Sequence, residues 1–385
     1  MRKLPAFLIV VAVALALPHV ALAQTTAVTL EASPRIVTIG EQVTLSGTTT
    51  PATAGQTVEI VDGAGAVVAT TATDASGSFT AAVEPPGTRT YRAVIDGTSS
   101  PEVTVRVRAT IDARMSTARL FDTVTVRGVV RPARPGRRVD VALFTGGRAV
   151  ASRRVEMNAN GRYAATFRIM EPGTYRARAI FSGLDLVRAR AVTDASSTPL
   201  PSLSSGSRGV FVELLEERLV ELDYRLVDER DERFDFRTAD AVIAFHKVNR
   251  MARTGSVDAA TWRALADPVV FRPEHDWRGL HLEVDQTRQV AVVVEDGDVT
   301  AIFHVSTGKA STPTRDGLFR VNRKLAGYSP NRLYYPSYFD GNRAFHGWPE
   351  VPTYAASHGC VRLPYWNALW VFGLADYGTR VAVYH

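Results

Sequence analysis

The sequence predicts a multidomain, mainly β chain: two small antiparallel β-sandwiches, a short helical bundle, and a mainly-β C-terminal domain. Three observations carry this. An internal repeat of about 80 residues fills the first half of the 385-residue chain. A helical hydrophobic period then runs for about 60 residues. After it the alternation returns to that of strands, with a lone cysteine near the end.

The first 23 residues read as a secretory leader, with a short basic head at Arg2 and Lys3. An apolar run follows from Leu4 to Ala23 and ends in Ala21-Leu22-Ala23, the small-x-small pattern that signal peptidase reads. Pro5, Pro18 and His19 weaken the run as a spanning helix, so the mature chain is expected to be exported, cell-envelope or wall associated, and not inserted in a membrane. The formal charge is +6 with a pI near 9.5. This excess reads as diffuse: it suits an anionic surface, and no Lys/Arg block signals a nucleic-acid partner.

Residues 25–108 and 109–192 are two copies of one unit. VTLSGTTTPATAGQTVEI, from Val43, aligns with VTVRGVVRPARPGRRVDV, from Val124; SGSFTAAVEPPGTRTYRA aligns with NGRYAATFRIMEPGTYRA. Gly47 falls on Gly128, Pro51 on Pro132, Gly77 on Gly161 and Tyr91 on Tyr175. The period is too long for a solenoid. Short alternating runs separated by Gly, Pro and Asn-Gly turns predict roughly seven strands per copy. The copies resemble the Ig-like modules of bacterial surface proteins, without the Cys-Trp-Cys core of antibody domains.

Residues 193–206, rich in Ser, Thr and Pro, read as a linker with almost nothing to bury. Phe211, Leu214, Leu215, Leu219 and Leu222 then recur at helical spacing, as do Ala241, Val242, Phe245 and Val248. Asp258 is placed to cap a third helix carrying Trp262 and Leu265. LLEERLVELDY…RTADAVIAFH…TGSVDAATWRAL resembles the peptidoglycan-binding module of wall enzymes from about Ser207 to Ala266, within a helical domain of residues 207–268. His246 is expected to be a surface or structural side chain rather than a ligand.

Residues 277–385 form the last domain. LHLEVD, QVAVVVE, an Asp296-Gly297 turn and VTAIFHVS predict three strands; GLFRVNRK and the closing RVAVY add two more. Trp366, Leu369, Trp370 and Leu374 predict one short helix after Pro364.

Within this domain Cys360 is the only cysteine. In an exported chain it has no internal partner for a disulfide, which leaves reactivity, pairing with another chain, or burial. A thiol attacks carbonyl carbon as thiolate, and at its ordinary pKa of about 8.5 it is mostly protonated. A neighbouring imidazole corrects this by taking the proton. His346 and His358 are both candidates; His346, fourteen residues away, can lie on a neighbouring strand and point at the sulfur. Gly359 lets a carbonyl approach the backbone, and the amides of Gly359 and Cys360 could hold an oxyanion. Arg362 shares a side with Cys360 in an extended segment and suits a carboxylate, the alternative being a structural ion pair. A zinc site from His304, His346, His358 and Cys360 lacks the usual spacings; no metal or other cofactor is expected.

STGKASTPTRDGLFRV, followed by RAFHGWPEVPTYAASHGCVRLP, resembles the L,D-transpeptidase, or YkuD, catalytic domain. The resemblance implies that Cys360 is the nucleophile, His346 the general base, and the Gly347 carbonyl the group that orients the imidazole. It implies that Ser357, His358 and Gly359 shape the oxyanion and substrate cleft, with Arg362 and Tyr335 as substrate contacts. Lys309 and Thr312 are expected to be structural support. The implied substrates are peptidoglycan stem peptides: a monomeric enzyme would form a thioester on a tetrapeptide stem and pass it to a second stem as a 3→3 cross-link. Hydrolysis to a tripeptide, attachment of a protein to the wall, or a non-catalytic wall-binding role are the alternatives.

Overall fold

The computed structural model describes residues 27–226 and 231–385. The expected leader, residues 1–23, lies outside the described residues. Each repeat folds as two facing sheets. In the first, Val43–Thr50 pairs with Ala27–Val28, Glu31–Ser33 and Ser78–Val83. The opposing sheet centres on Arg89–Ile95, between Thr57–Asp62 and Val103–Arg108. In the second, Thr123–Arg131 pairs with Thr110–Ile111, Arg114–Met115 and Arg162–Arg168. It faces a sheet centred on Arg138–Thr145 and Thr174–Phe181. Alternate residues such as Val43 and Leu45, or Val124 and Val126, fill the gap between sheets.

The matching glycines have one cause. Gly47 lies opposite Phe79 and Gly128 opposite Tyr163. A Cβ on Gly47 would sit 2.0 Å from the Thr29 carbonyl oxygen and 2.4 Å from the Phe79 ring; one on Gly128 would sit 2.0 Å from the Asp112 carbonyl and 2.5 Å from Tyr163 Oη. In each sandwich backbone and aromatic ring close over this point, and no side chain fits.

The stretch expected to be a free linker is docked. Ser196–Ser197 pairs with Thr174 and Tyr175, and Ser196 Oγ accepts from the Ala118 amide at 2.9 Å. Leu203 is buried and exchanges backbone hydrogen bonds with Val257 at 2.9 and 2.8 Å. Low apolar content hid this, because the docking is made by backbone and hydroxyl groups.

Three helices follow: α1, Val210–Glu221, α2, Phe236–Val248, and α3, Ala259–Ala266. The Asp235 carboxylate accepts from the Arg237 and Thr238 amides at the start of α2. Asp258 and Thr261 form a reciprocal capping box on α3. Leu215, Leu219, Val242, Phe245, Trp262 and Leu265 are buried between them.

The C-terminal domain packs two sheets and a fourth helix, α4, Tyr365–Leu374. The larger sheet has the order Asp298–His304, Val290–Glu295, His281–Asp285, Arg380–Tyr384, Gly317–Arg320. The smaller runs Arg323–Lys324, Tyr334–Asp340, Arg343–Gly347, Val361–Leu363. The unbroken apolar run of Val290–Val294 follows from burial on both faces. Ala291 and Val293 point into the core with Phe303, Phe345 and Val361. Val290, Val292 and Val294 join Ile302 against the helical module. One strand serves two cores, so the helical module is packed onto the sheet rather than tethered beside it. Among the described residues no helix is long and apolar enough to cross a membrane.

Candidate active site

Two short parallel strands build the site. Phe345 pairs with Val361, His346 with Arg362 and Gly347 with Leu363. Cys360 immediately precedes the second strand, and the Ala344 amide approaches its sulfur. His346 and Arg362 are thus side by side on adjacent strands, with Cys360 two residues before Arg362. Phe345, Val361 and Leu363 point the other way into the core. Alternation along both strands places the polar side chains on one face.

His346 is 2% exposed. Its Nδ1 lies 3.0 Å from the Gly347 carbonyl; a carbonyl only accepts, so Nδ1 carries the hydrogen and Nε2 of the neutral ring is a bare acceptor. Burial pushes the imidazole down to about 4; the Gly347 carbonyl opposes this and Arg362 adds to it. Burial pushes the half-buried Cys360 thiol up, against the Ala344 amide, Arg343 and Arg362. Both groups are therefore neutral at pH 7, which corrects the expectation of a thiolate paired with the ring. The thiol rests on the Asn342 carbonyl, 3.7 Å away.

The loop into Cys360 is held from inside. Ser357, 1% exposed, donates from Oγ to the Cys360 carbonyl at 2.6 Å and accepts from the Gly359 amide at 3.0 Å. That amide, expected to face an oxyanion, is turned inward, which narrows the expected pair of donors to the amide of Cys360. Gly359 itself has φ +110°, a conformation side chains rarely adopt, and a Cβ there would meet Arg343 Nε at 3.1 Å. Lys309 and Thr312 act as support: the Lys309 amide and the Thr312 hydroxyl both donate to the Ser357 carbonyl, at 3.0 and 3.2 Å. Thr314 donates to the Gly359 carbonyl at 3.0 Å.

Of the other expected residues, Arg362 stays beside the site and the rest disperse. Arg362 Cζ lies 5.3 Å from the centroid of the Trp348 ring, which also meets His346 edge-on at 5.7 Å. His358 is exposed. Tyr335 turns its ring to Tyr334 and Phe372, and it is Tyr334 that pairs with Gly347. His304 has both ring nitrogens engaged, Nδ1 by Lys247 at 2.6 Å and Nε2 by the Val351 carbonyl at 2.8 Å. His246 is buried, its nitrogens at 2.8 Å from the Thr254 carbonyl and 3.0 Å from Thr261 Oγ1. Sequence reasoning passed over Asn342, Arg343, Trp348 and Thr314. The Asp340-Gly341 turn signal marks the hairpin that delivers the first two; Trp348 and Thr314 carried no signal of their own.

The segment between His346 and Cys360 is fastened by the helical module. Arg253 donates to the Thr353 carbonyl at 2.6 Å and to that of Thr287 at 3.1 Å. Lys247, 1% exposed and held by burial well below the ordinary lysine value, donates to the Gln289 and Val305 carbonyls at 2.7 and 2.8 Å, with His304 Nδ1 2.6 Å from the same nitrogen. His304 passes this on to Val351, and Ser306 Oγ holds the Tyr354 carbonyl at 2.7 Å.

Residues 280–383 match the family described as the L,D-transpeptidase catalytic domain. The crystal structure of an L,D-transpeptidase from Xylanimonas cellulosilytica is 32% identical, over 49% of this chain and 100% of that one, with a TM-score of 0.45. Residues 280–383 are an L,D-transpeptidase catalytic domain. Residues 208–265, ahead of this L,D-transpeptidase domain, match a putative peptidoglycan binding domain. An L,D-transpeptidase from Stackebrandtia nassauensis is 25% identical over 49% of this chain and 98% of that one, TM-score 0.32. The Enterococcus faecium L,D-transpeptidase C442S mutant is 26% identical over 28% and 50%, TM-score 0.25. A search of the curated proteins found no match.

Proposed function

We propose that this chain is a cell-envelope L,D-transpeptidase that acylates Cys360 with a peptidoglycan tetrapeptide stem and transfers the acyl group to a second stem, making a 3→3 cross-link. The observation that carries the reading is His346, its Nδ1 fixed by the Gly347 carbonyl, on the strand alongside the one that Cys360 opens. With Nδ1–H committed, Nε2 is left to take a proton.

The thiol leaves the Asn342 carbonyl and gives its proton to His346 Nε2 as sulfur bonds to the carbonyl carbon of the third stem residue. Transferring the proton during attack suits two partners that are both neutral at rest. The developing oxyanion is held by the Cys360 amide. Collapse breaks the bond to the terminal D-alanine, whose nitrogen takes the proton back from the imidazolium. The side-chain amine of a second stem then attacks the thioester, its proton passing to His346 and on to the departing sulfur. Arg362, backed by Trp348 and without an ion pair among the described residues, receives a stem carboxylate.

The test is incubation with a disaccharide-tetrapeptide, following intact mass and products. An acyl adduct absent from Cys360→Ala, with cross-linked dimer, is the expected outcome. Tripeptide alone would make the chain a carboxypeptidase; no adduct with any stem peptide would leave a wall-binding protein.

A further inference from the structure

The positive charge is not spread along the chain. Residues 109–192, the second sandwich, hold 16 arginines and no lysine against six acidic residues, a formal +10, more than the +6 of the whole chain. Residues 25–108, its sister copy, hold five arginines against eight acidic residues, a formal −3. Since the two share a scaffold, the difference is a surface difference and can be located by register.

Part of it falls on the outer face of the Thr123–Arg131 sheet, whose strands carry five of the 16 arginines, Arg114, Arg127, Arg131, Arg162 and Arg168. Arg114 lies directly opposite Arg127, and the equivalent pair in the first sandwich is Glu31 opposite Ser46. Arg162 lies opposite Val129, and the equivalent is Ser78 opposite Thr48. Like charges directly across an antiparallel pair cost stability, yet Arg114, Arg127 and Arg162 are exposed and form no ion pair among the described residues. The three line a groove of about 920 Å³ together with Met115, Val129 and Tyr163. Of its two carboxylates, Asp112 accepts from the Val129 amide at 3.0 Å and Glu156 is paired with Arg138 at 3.2 Å. Arg114 and Arg162 flank one strand two residues out of register, about 12 Å apart at the usual strand spacing of about 4.8 Å and rise of about 3.4 Å.

We propose that this groove binds a linear polyanion, a polymer carrying phosphate or carboxylate groups at short intervals along its length. Charge complementarity argues for it: three unpaired guanidiniums in a row can meet successive anionic groups, each in bidentate geometry. Concavity argues for a chain lying in the groove rather than a flat lipid surface. This site is separate from Cys360, so its test stands apart from the acyl-transfer reading.

The mature chain is titrated by isothermal calorimetry with inorganic polyphosphate, and with polygalacturonate as the carboxylate arm, at several salt concentrations. Binding to either, weakening with salt, is expected. Arg114→Ser, Arg127→Ser and Arg162→Ser combined should weaken it at least tenfold and flatten the log–log salt dependence by about two to three, leaving alkylation of Cys360 unchanged as a check of folding. Glu31→Arg, Ser46→Arg and Ser78→Arg together should add a second site to the first sandwich. No binding at about 50 mM salt, equal binding by the triple serine variant, or binding only to anionic phospholipid vesicles would each overturn the proposal.

Discussion

At the scale of single residues, the site works through what each group is denied. His346 is denied water, so its ring holds a proton only below about pH 4, while ordinary imidazole does so below about 6.5. A base must be unprotonated to act. The acylation rate of Cys360 is therefore expected to rise with pH through about 4 and to be level from about pH 5.5 to 7, which a profile of kcat/KM from pH 3 to 8 would show. A limb centred near 6.5 would mean that the ring is solvated when substrate binds. His346→Ala should cost about 10²–10⁴ in that rate with the thiol still open to alkylation. The residues behind this behaviour were only partly legible. Cys360 stood out as the lone thiol, with His346 and His358 as candidate bases, and Gly347 entered through the family resemblance; the inward turn of the Gly359 amide did not, since Ser357 meets it through a hydroxyl whose direction no spacing encodes.

At the scale of elements, the loop that follows helix α2 governs the segment that joins the two strands of the site. Arg253 ties Thr353 and Thr287 together from outside the domain that holds Cys360. Hydrogen bonds from a charged donor contribute about 1.5–3 kcal/mol when well shielded, and this one is partly open to water. Arg253→Ala should leave the melting temperature within a few degrees of wild type while amides of residues 349–358 exchange about tenfold faster and acylation slows by a similar factor. Arg253→Lys, able to reach one carbonyl at a time, should fall between. Unchanged exchange in Arg253→Ala would show that the segment holds itself. The strands here were less legible than those of the larger sheet. Val290–Glu295 and Asp298–His304 announce themselves by an apolar run and a turn, whereas Val361–Leu363 is three residues long and is a strand because Arg343–Gly347 and Ser306 pair with it.

At the scale of the whole molecule, the helical module and the catalytic sheet are one folding problem. Val290, Val292, Val294 and Ile302 are buried by the module, each at about 1.5–3 kcal/mol for a fully buried aliphatic side chain. A chain cut to residues 277–385 is expected to expose that face, bind a hydrophobic dye and melt well below the intact protein; an equal melting temperature would show two independent cores. Acidity should act on the intact chain in one direction. His246, His304 and His346 are all held below the ordinary imidazole value, chiefly by burial. Between about 4 and 6.5 the unfolded chain binds protons that the fold refuses, so stability falls as pH falls through that window. Asp240, buried and raised to about 6, opposes this between about 3.8 and 6, and Asp223, also raised by burial, opposes it above about 3.8, two groups against three. Thermal melting at pH 7, 6 and 5 should show a progressive drop; a rise toward pH 5 would contradict it.

The amino-acid sequence by itself determined the repeat, the helical segment and the strand pattern of the last domain, and it singled out Cys360 and His346 as the candidate pair. These depend on periodicity and residue type, which are local and survive in one dimension. Only tertiary structure decided that the Ser/Pro stretch docks, that one valine strand feeds two cores, that the imidazole and thiol rest neutral, and that arginines of the second sandwich share a groove. Each of these depends on what is packed against a group, and burial, dielectric and cross-strand register come into being when distant segments meet.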